Sequence, residues 1–416
     1  MEYNNTPAKE AAEKRAPYAY TKPMTLLMLF AVALGVLFER GVLYSIFRES
    51  IFYPLFFLLC AVAAVVLCRE RFRKSREAKA LLAVLTALCL LHALHPNASE
   101  DVLGLYDLAA IPGISMLLAL FSARDYPIKR EGAILTDFFS AWTAGAFKNI
   151  PRFFGAAAAL VRGSKRGAVR NVLIGLAVAV PVVAAVLMLL SSADAAMQRL
   201  VSNILGGLDL GDLLWRGALT VLTAMLVYSA IHSLAFDEQK ALAPYREGAL
   251  PGATFTIAIA AVLVIYAVYA YFEFTYLFGG RLPAEYTYAA YARQGFFELI
   301  AVSIINLTLF GLALRYAKKS RGAYALYAAL IAATVLLLVS AATRLILYIG
   351  AYGLTFNRIL PLAFMGYLLF VLILCAVRLA KEKTPLLRIA AWGLIVWYLL
   401  LYLPDWQAII SQYNAL

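Results

Sequence analysis

Long apolar blocks alternate along the chain with short clusters of Lys, Arg, Asp and Glu. The blocks run for about 15 to 25 residues, and a helix of that length crosses a hydrocarbon layer of ~30 Å. The pattern predicts an all-α protein, a polytopic transmembrane helical bundle of eleven spans. They fall at 24–38, 51–68, 80–94, 102–122, 172–190, 213–234, 254–278, 295–314, 323–349, 360–377 and 386–402. The first and third are short and tilt little or thin the bilayer locally. The flank of the first, FERGVLYS, has no small-x-small cleavage pattern, so it reads as an uncleaved signal anchor.

Loop charge gives the expected orientation. With the N-terminus inside, 29 of the 37 Lys and Arg fall in the loops assigned to the inner side. Six lie outside (Arg40, Arg48, Arg199, Arg281, Arg293 and Arg358), and Arg216 and Arg344 lie within spans. Retained loops collect basic residues, so the N-terminus is expected inside and the C-terminus outside. The net charge of +13 is then mainly a topology signal and no argument for nucleic acid.

Composition narrows the class further. The chain is 63% hydrophobic and 15% charged over 416 residues, against roughly 25% charged in a soluble domain. A soluble multidomain enzyme and a disordered chain are excluded. Cys60, Cys68, Cys89 and Cys375 fall within spans or at their inner ends, so no disulfide framework is implied. No phosphate-binding Gly-rich loop, GxSxG, HExxH or EF-hand pattern occurs, and neither a metal nor a cofactor is expected. His92 and His95, at i and i+3, are read as packing at the membrane interface.

The domain division expected from the loops is 1–122, with the N-terminal tail and four spans; 123–171, a basic inner loop; and 172–416, a seven-span bundle. Within the loop, Phe138, Phe139, Trp142, Phe147, Phe153 and Phe154 sit near helical spacing beside Lys148 and Arg152. Pro151 is expected to break this stretch into two helices. Bulky apolar residues with a basic flank predict a surface at 138–170 lying on anionic lipids of the inner leaflet, with folding against the bundle as the alternative. The segment 191–212 is read as a short amphipathic helix over the outer face.

Ionisable groups in hydrocarbon cost about 2.5–3.5 kcal/mol on insertion scales, so each needs a reason. Asp107, Arg216, Glu273, Glu298 and Arg344 all fall a few residues inside the outer ends of their spans. Three readings are open: snorkelling to outer water, structural pairing of Arg344 with Glu298 or Glu273, and a polar cavity that meets a ligand. Seven of the 25 tyrosines lie between Tyr266 and Tyr291, more than an interfacial belt requires. Phenols beside Arg293, Arg344 and Arg358 suit a carboxylate, a phosphate or a sugar hydroxyl. A short likeness between two span ends, Glu273, Tyr276 and Gly279 against Arg344, Tyr348 and Gly350, hints at a repeated two-helix unit.

At YARQGFFEL (Tyr291 to Leu299) and TRLILYIGAYGLTFNR (Thr343 to Arg358) the chain resembles a family of bacterial multi-pass membrane proteins that is defined only as a domain of unknown function. The resemblance is strongest over about 254–377. It implies a multi-pass protein of the bacterial inner (plasma) membrane and marks Tyr291, Arg293, Glu298, Arg344, Tyr352 and Arg358 as motif positions. It implies no reaction.

Three functions compete. The first is an outward-opening transporter or small-ligand binding protein using Glu273, Tyr291, Arg293, Glu298, Arg344, Tyr348, Tyr352, Arg358 and Asp107, with Glu298 as the carrier of a proton or cation. The second is an enzyme acting on a lipid-linked substrate at the outer face, with Asp107, Glu273 or Glu298 as base and a metal at Glu100 and Asp101. The third is a sensory or accessory subunit that reaches a protein partner through the basic cytoplasmic loops.

Overall fold

The structure is a computed structural model that describes residues 18–43, 51–94, 101–160, 210–238, 252–276, 296–316 and 320–415, with single helical positions at 175, 179, 183, 186 and 190. Among the described residues the fold is all-helical, without a strand. The main helices are α1 (Lys22–Leu37), α2 (Phe52–Leu67), α3 (Arg76–Leu94), α4 (Asp101–Ala123), α5 (Gly132–Ser140), α6 (Ile150–Leu160) and α7 (Leu210–Ala235). They are followed by α8 (Gly252–Tyr276), α9 (Phe296–Tyr316), α10 (Arg321–Tyr352), α11 (Phe356–Ala380), α12 (Leu386–Leu400) and α13 (Trp406–Asn414).

Ten of these helices coincide with predicted spans; the remaining expectation, 172–190, lies outside the described residues apart from five single positions. Among the described residues five segments are long and apolar enough to cross a membrane: Lys22–Val42, Tyr106–Ala123, Trp215–Ala235, Arg321–Tyr352 and Phe356–Ala380. Shorter apolar helices include Phe52–Leu67, Phe255–Tyr271, Ile300–Arg315 and Leu386–Leu400. The expected helix at 191–212 also lies outside the described residues, except that α7 begins at Leu210.

The chain forms two compact units. The first comprises Met1–Asn97, Leu103–Asp125 and Leu135–Lys240; the second comprises Ala98–Val102, Tyr126–Ile134 and Ala241–Leu416. The division therefore differs from one drawn at the loop of 123–171, because α6 and α7 pack with the helices α1 and α2 that precede it. The reason is local. In α6 Phe153 and Ala156 turn inward to meet Leu27, Met28 and Ala31 of α1 and Ala224, Tyr228 and Ile231 of α7.

In the first unit α7 lies along α1 at very close range. A Cβ built on Gly35 would stand 2.3 Å from the Thr220 carbonyl oxygen, so only glycine permits this approach. α1 then runs into a π-helical turn, Phe38–Val42, which carries the buried Glu39. A second π turn, Ala141–Gly145, follows α5, and the break before α6 comes at Asn149 with Pro151 in the first turn of the next helix. Phe139, Trp142 and Phe147 stay exposed.

In the second unit α10 is central, packing on α8, α9 and α11. Its length, 32 residues, follows from a run of good helix formers between two firm ends. The Ser320 hydroxyl oxygen caps the first turn by accepting from the Ala323 N–H, and Gly353 ends the helix at φ +79°, the left-handed region that favours glycine. Leu330, Leu338 and Leu345 face Ile259 of α8, Phe310 and Ala313 of α9, and Leu368, Leu372 and Cys375 of α11. The terminal helix α13, which the span pattern does not predict, is held by its Asp405 cap and by Asn414, whose side chain bonds both backbone groups of Leu354.

Candidate functional site

The second unit carries a polar seam inside an otherwise apolar three-helix core. Tyr266 of α8 donates its hydroxyl to Asn306 Oδ1 at 2.7 Å. Asn306 of α9 donates Nδ2 to Thr334 Oγ1 of α10 at 2.8 Å, and Thr334 donates to the Leu330 carbonyl at 2.7 Å. Asn306 and Thr334 are buried, as are Ser303 and Ser340 nearby in sequence. The chain of donors has one direction, since Thr334 spends its only hydrogen on its own helix and must accept from Asn306. Interhelical hydrogen bonds of this kind contribute about 0.6–2 kcal/mol each in a membrane.

Further along α10, Arg344 is buried and donates Nη2 to the Tyr269 hydroxyl of α8 at 2.9 Å. Ten residues separate Thr334 from Arg344, about 15 Å along a helix. Tyr266 with Tyr269, Ser303 with Asn306, and Ser340 with Arg344 each repeat at i and i+3 or i+4, which keeps each pair on one side of its helix. Arg344 and the Tyr269 phenol thus stand at one end of the seam, with the Tyr266 phenol and the Asn306 and Thr334 side chains at the other.

Tyr348, Tyr352 and Arg358 are brought together at the Gly353 end of α10. The Arg358 guanidinium lies 4.3 Å from the Tyr348 ring centroid and donates Nη2 to its hydroxyl at 3.3 Å. Its Nη1 donates to the Tyr352 carbonyl at 2.9 Å and also to the Gly353 carbonyl. These carbonyls end α10, so Arg358 also caps the negative end of the helix dipole. The rings of Tyr348 and Tyr352 stand 5.1 Å apart, and Tyr352 is exposed. Glu273 and Glu298 belong to α8 and α9, but their side chains lie outside the described residues, as do Tyr291 and Arg293 entirely.

Asp107 belongs to the first unit. It is buried in α4, and its Oδ2 stands 3.2 Å from His92 Nε2 of α3. His92, expected to pack, is one half of this buried pair. Arg216 has Nε 2.8 Å from Asp212 and 3.6 Å from the buried Glu39.

A second ionic cluster lies in the same unit beyond the end of α7. Asp237 accepts from Lys148 Nζ at 2.7 Å, Asn149 Nδ2 at 3.1 Å and Arg152 Nη1 at 2.5 Å. Burial raises its carboxyl, yet these hydrogen bonds and the Arg152 charge outweigh burial and hold it below its ordinary value. Arg152 also lies over the Tyr18 ring at 4.4 Å, and Tyr18 shares a hydrogen bond with the buried His232 at 3.1 Å.

Sequence reasoning missed Glu39, His92, Asn306, Thr334 and Asp237 as parts of networks. His92 and Asp107 had a usable signal: each lies a few residues from the loop that joins two consecutive spans, the placement that lets hairpin partners meet. Asn306 and Thr334 are uncharged, and nothing in a hydropathy scan distinguishes them. Among the described residues no group of three or more His, Cys, Asp and Glu is placed to hold a metal.

No curated protein and no solved structure matches the chain. A family model, Domain of unknown function (DUF4153), matches residues 80–415, taking in α3 and α4 as well as the segment where the resemblance is strongest. The chain belongs to that family.

Proposed function

We propose that the protein is a multi-pass protein of the bacterial inner membrane, crossing eleven times with the N-terminus inside. In this reading its second unit binds a small anionic ligand from the outer side, as a transporter or binding protein. The observation that carries it is the seam from Arg344 and Tyr269 to Asn306, Thr334 and Tyr266. A guanidinium beside the Tyr269 phenol is the kind of donor that recognises a carboxylate or phosphate, and it remains charged at any working pH. The neutral groups along α10 then offer hydrogen-bond partners deeper in the helix core, where an apolar wall offers none. Tyr348, Tyr352 and Arg358 flank the entrance in this reading, and Glu273, Tyr291, Arg293 and Glu298 complete it. The exposed Phe139, Trp142 and Phe147 beside Lys148 suit contact with anionic lipids of the inner leaflet.

Thermal unfolding of the purified protein in lipid nanodiscs, with inorganic phosphate, succinate or glucose added, tests the ligand. An anion should raise the midpoint, and R344Q should remove the shift while Y269F only weakens it. If no anion stabilises the protein, or R344Q responds as the wild type does, the reading fails. Fusing a reporter active only outside the cytoplasm to Leu416 tests the orientation, and an inactive reporter would overturn it.

A further inference from the structure

The segment before α1 and the end of α7 bring a phenol, an imidazole and a carboxylate into line in the first unit. The Tyr18 hydroxyl stands 3.1 Å from His232 Nε2, and His232 Nδ1 stands 3.5 Å from Asp237 Oδ1. A carboxylate beside Nδ1 favours the tautomer that carries its hydrogen there, which leaves a lone pair at Nε2. Tyr18 then donates its hydroxyl hydrogen to that lone pair. Its other neighbour, the Met24 sulfur at 3.9 Å, is a weaker acceptor. The distance from Nδ1 to Oδ1 is longer than a hydrogen bond, as distances between such groups commonly are before a substrate binds. Burial divides the three in a useful way. His232 is fully buried and the Asp237 side chain is 9% exposed, whereas Tyr18 is 41% exposed. A base shielded from water thus faces a phenol that solvent reaches.

We infer that Tyr18 is an activated nucleophile that accepts a phosphoryl group, with His232 as its base and Asp237 holding the imidazole. A hydroxyl becomes nucleophilic when an adjacent base takes its proton and a third group fixes the base. In this step the phenol oxygen bonds to phosphorus, and the bond from phosphorus to the leaving group breaks with its electron pair going to that group. The phenol hydrogen passes to His232 Nε2. The imidazolium so formed lies beside the Asp237 carboxylate, which stabilises it. The phosphoryl class follows from the neighbouring cations. The Arg152 guanidinium stands 4.4 Å from the Tyr18 ring centroid and spends one N–H on Asp237 Oδ1. Lys148 reaches Asp237 Oδ2 and is 60% exposed. A guanidinium carries five N–H donors and an ammonium three, so both retain donors that suit phosphoryl oxygens. The inference concerns the first unit and does not rest on the anion reading of the second.

Diisopropyl fluorophosphate, which phosphorylates activated hydroxyls with loss of fluoride, is the probe. Wild-type protein in nanodiscs is treated with a limiting amount, and the modified tyrosines are located by mass spectrometry of peptides. Tyr352 and Tyr413, 52% and 46% exposed, serve as internal standards for a phenol that is merely accessible. Tyr18 should react about 100-fold faster than either, the low end of a general-base contribution. Equal rates would overturn the proposal without any variant having to fold. The second arm tests the base. H232A should lose the preference for Tyr18 and regain part of it when free imidazole is added, which a merely structural histidine would not allow. Unchanged labelling in H232A, or a loss that imidazole does not relieve, overturns the assignment of His232. Inorganic phosphate, held by Arg152 and Lys148, should slow the labelling of Tyr18 in R344Q as in the wild type. Labelling indifferent to phosphate would overturn the phosphoryl class, whatever the fate of the site at Arg344.

Discussion

The two units solve the same problem, polar groups within helices, by opposite means. In the first, cations meet carboxylates: Arg216 meets Glu39 and Asp212, Arg124 meets Asp137, Arg152 and Lys148 meet Asp237, and His92 meets Asp107. In the second, arginines hydrogen-bond to phenols and backbone carbonyls: Arg344 to Tyr269, Arg358 to Tyr348, Tyr352 and Gly353, Arg378 to Thr384, and Arg388 to Tyr126. Among its described carboxylates, Glu131 accepts from the Leu387 N–H with the Arg378 and Arg388 charges near it, and Glu382 accepts from the Tyr324 hydroxyl. Ion pairs fix geometry because each member is expensive to leave alone.

That difference predicts unequal costs for removing one member of each network. D237A takes away the acceptor shared by Arg152, Lys148 and Asn149, and breaking a buried pair costs about 3–5 kcal/mol. Because Lys148 is largely exposed, we expect the lower end, about 3 kcal/mol, read from reversible denaturant unfolding. N306L in the second unit leaves Tyr266 and Thr334 without their shared amide, and should cost about 1–2 kcal/mol. The triple variant Y266F/N306L/T334V removes every unmet group and should recover most of that loss. If D237A costs no more than N306L, the division between ionic and neutral networks does not describe their energetics.

The two units should also respond to pH with opposite sign. Asp237 sits below its ordinary value of 3.8, so its contribution is present above that value and is lost as pH falls through the lower folded value. Glu131 is pushed above its ordinary 4.5, first by burial, and the Leu387 N–H and the Arg378 and Arg388 charges offset this only in part. Its contribution is present below 4.5 and is lost as pH rises through the folded value. E131Q, whose amide oxygen still accepts from Leu387, should therefore flatten the loss above pH 4.5. D237N should flatten the loss in acid. Unfolding midpoints of both variants across this range are the measurement, and parallel curves would contradict the assignment.

How much of this was legible in the sequence follows from the physics of each signal. Apolar block length located ten helices, because crossing hydrocarbon demands length and little else. The rarity of charge in spans singled out Asp107 and Arg344, both buried with defined hydrogen bonds. The sequence could not show that α6 and α7 pack with α1 and α2, since that depends on Phe153 and Ala156 meeting α1 over a large separation in the chain. Arg358 was marked for its charge. Only the backbone of the Gly353 turn reveals that its guanidinium also caps α10.

Arg358 supplies the smallest expected effect. A lysine keeps the charge but replaces the planar fork with a single point donor, so it cannot bond the carbonyls of Tyr352 and Gly353 while lying flat on Tyr348. The group is partly exposed, and solvent weakens both contacts. R358K should therefore cost about 0.5–1 kcal/mol, in the range of an exposed helix-end interaction. The loss should appear as faster amide hydrogen exchange in the last turn of α10 and at Leu354, where Asn414 also holds the chain. The first unit should not respond. If exchange at Leu354 is unchanged while binding of the stabilising anion weakens severalfold, Arg358 belongs to the ligand site more than to the helix end, and the second unit's binding surface extends to the Gly353 turn.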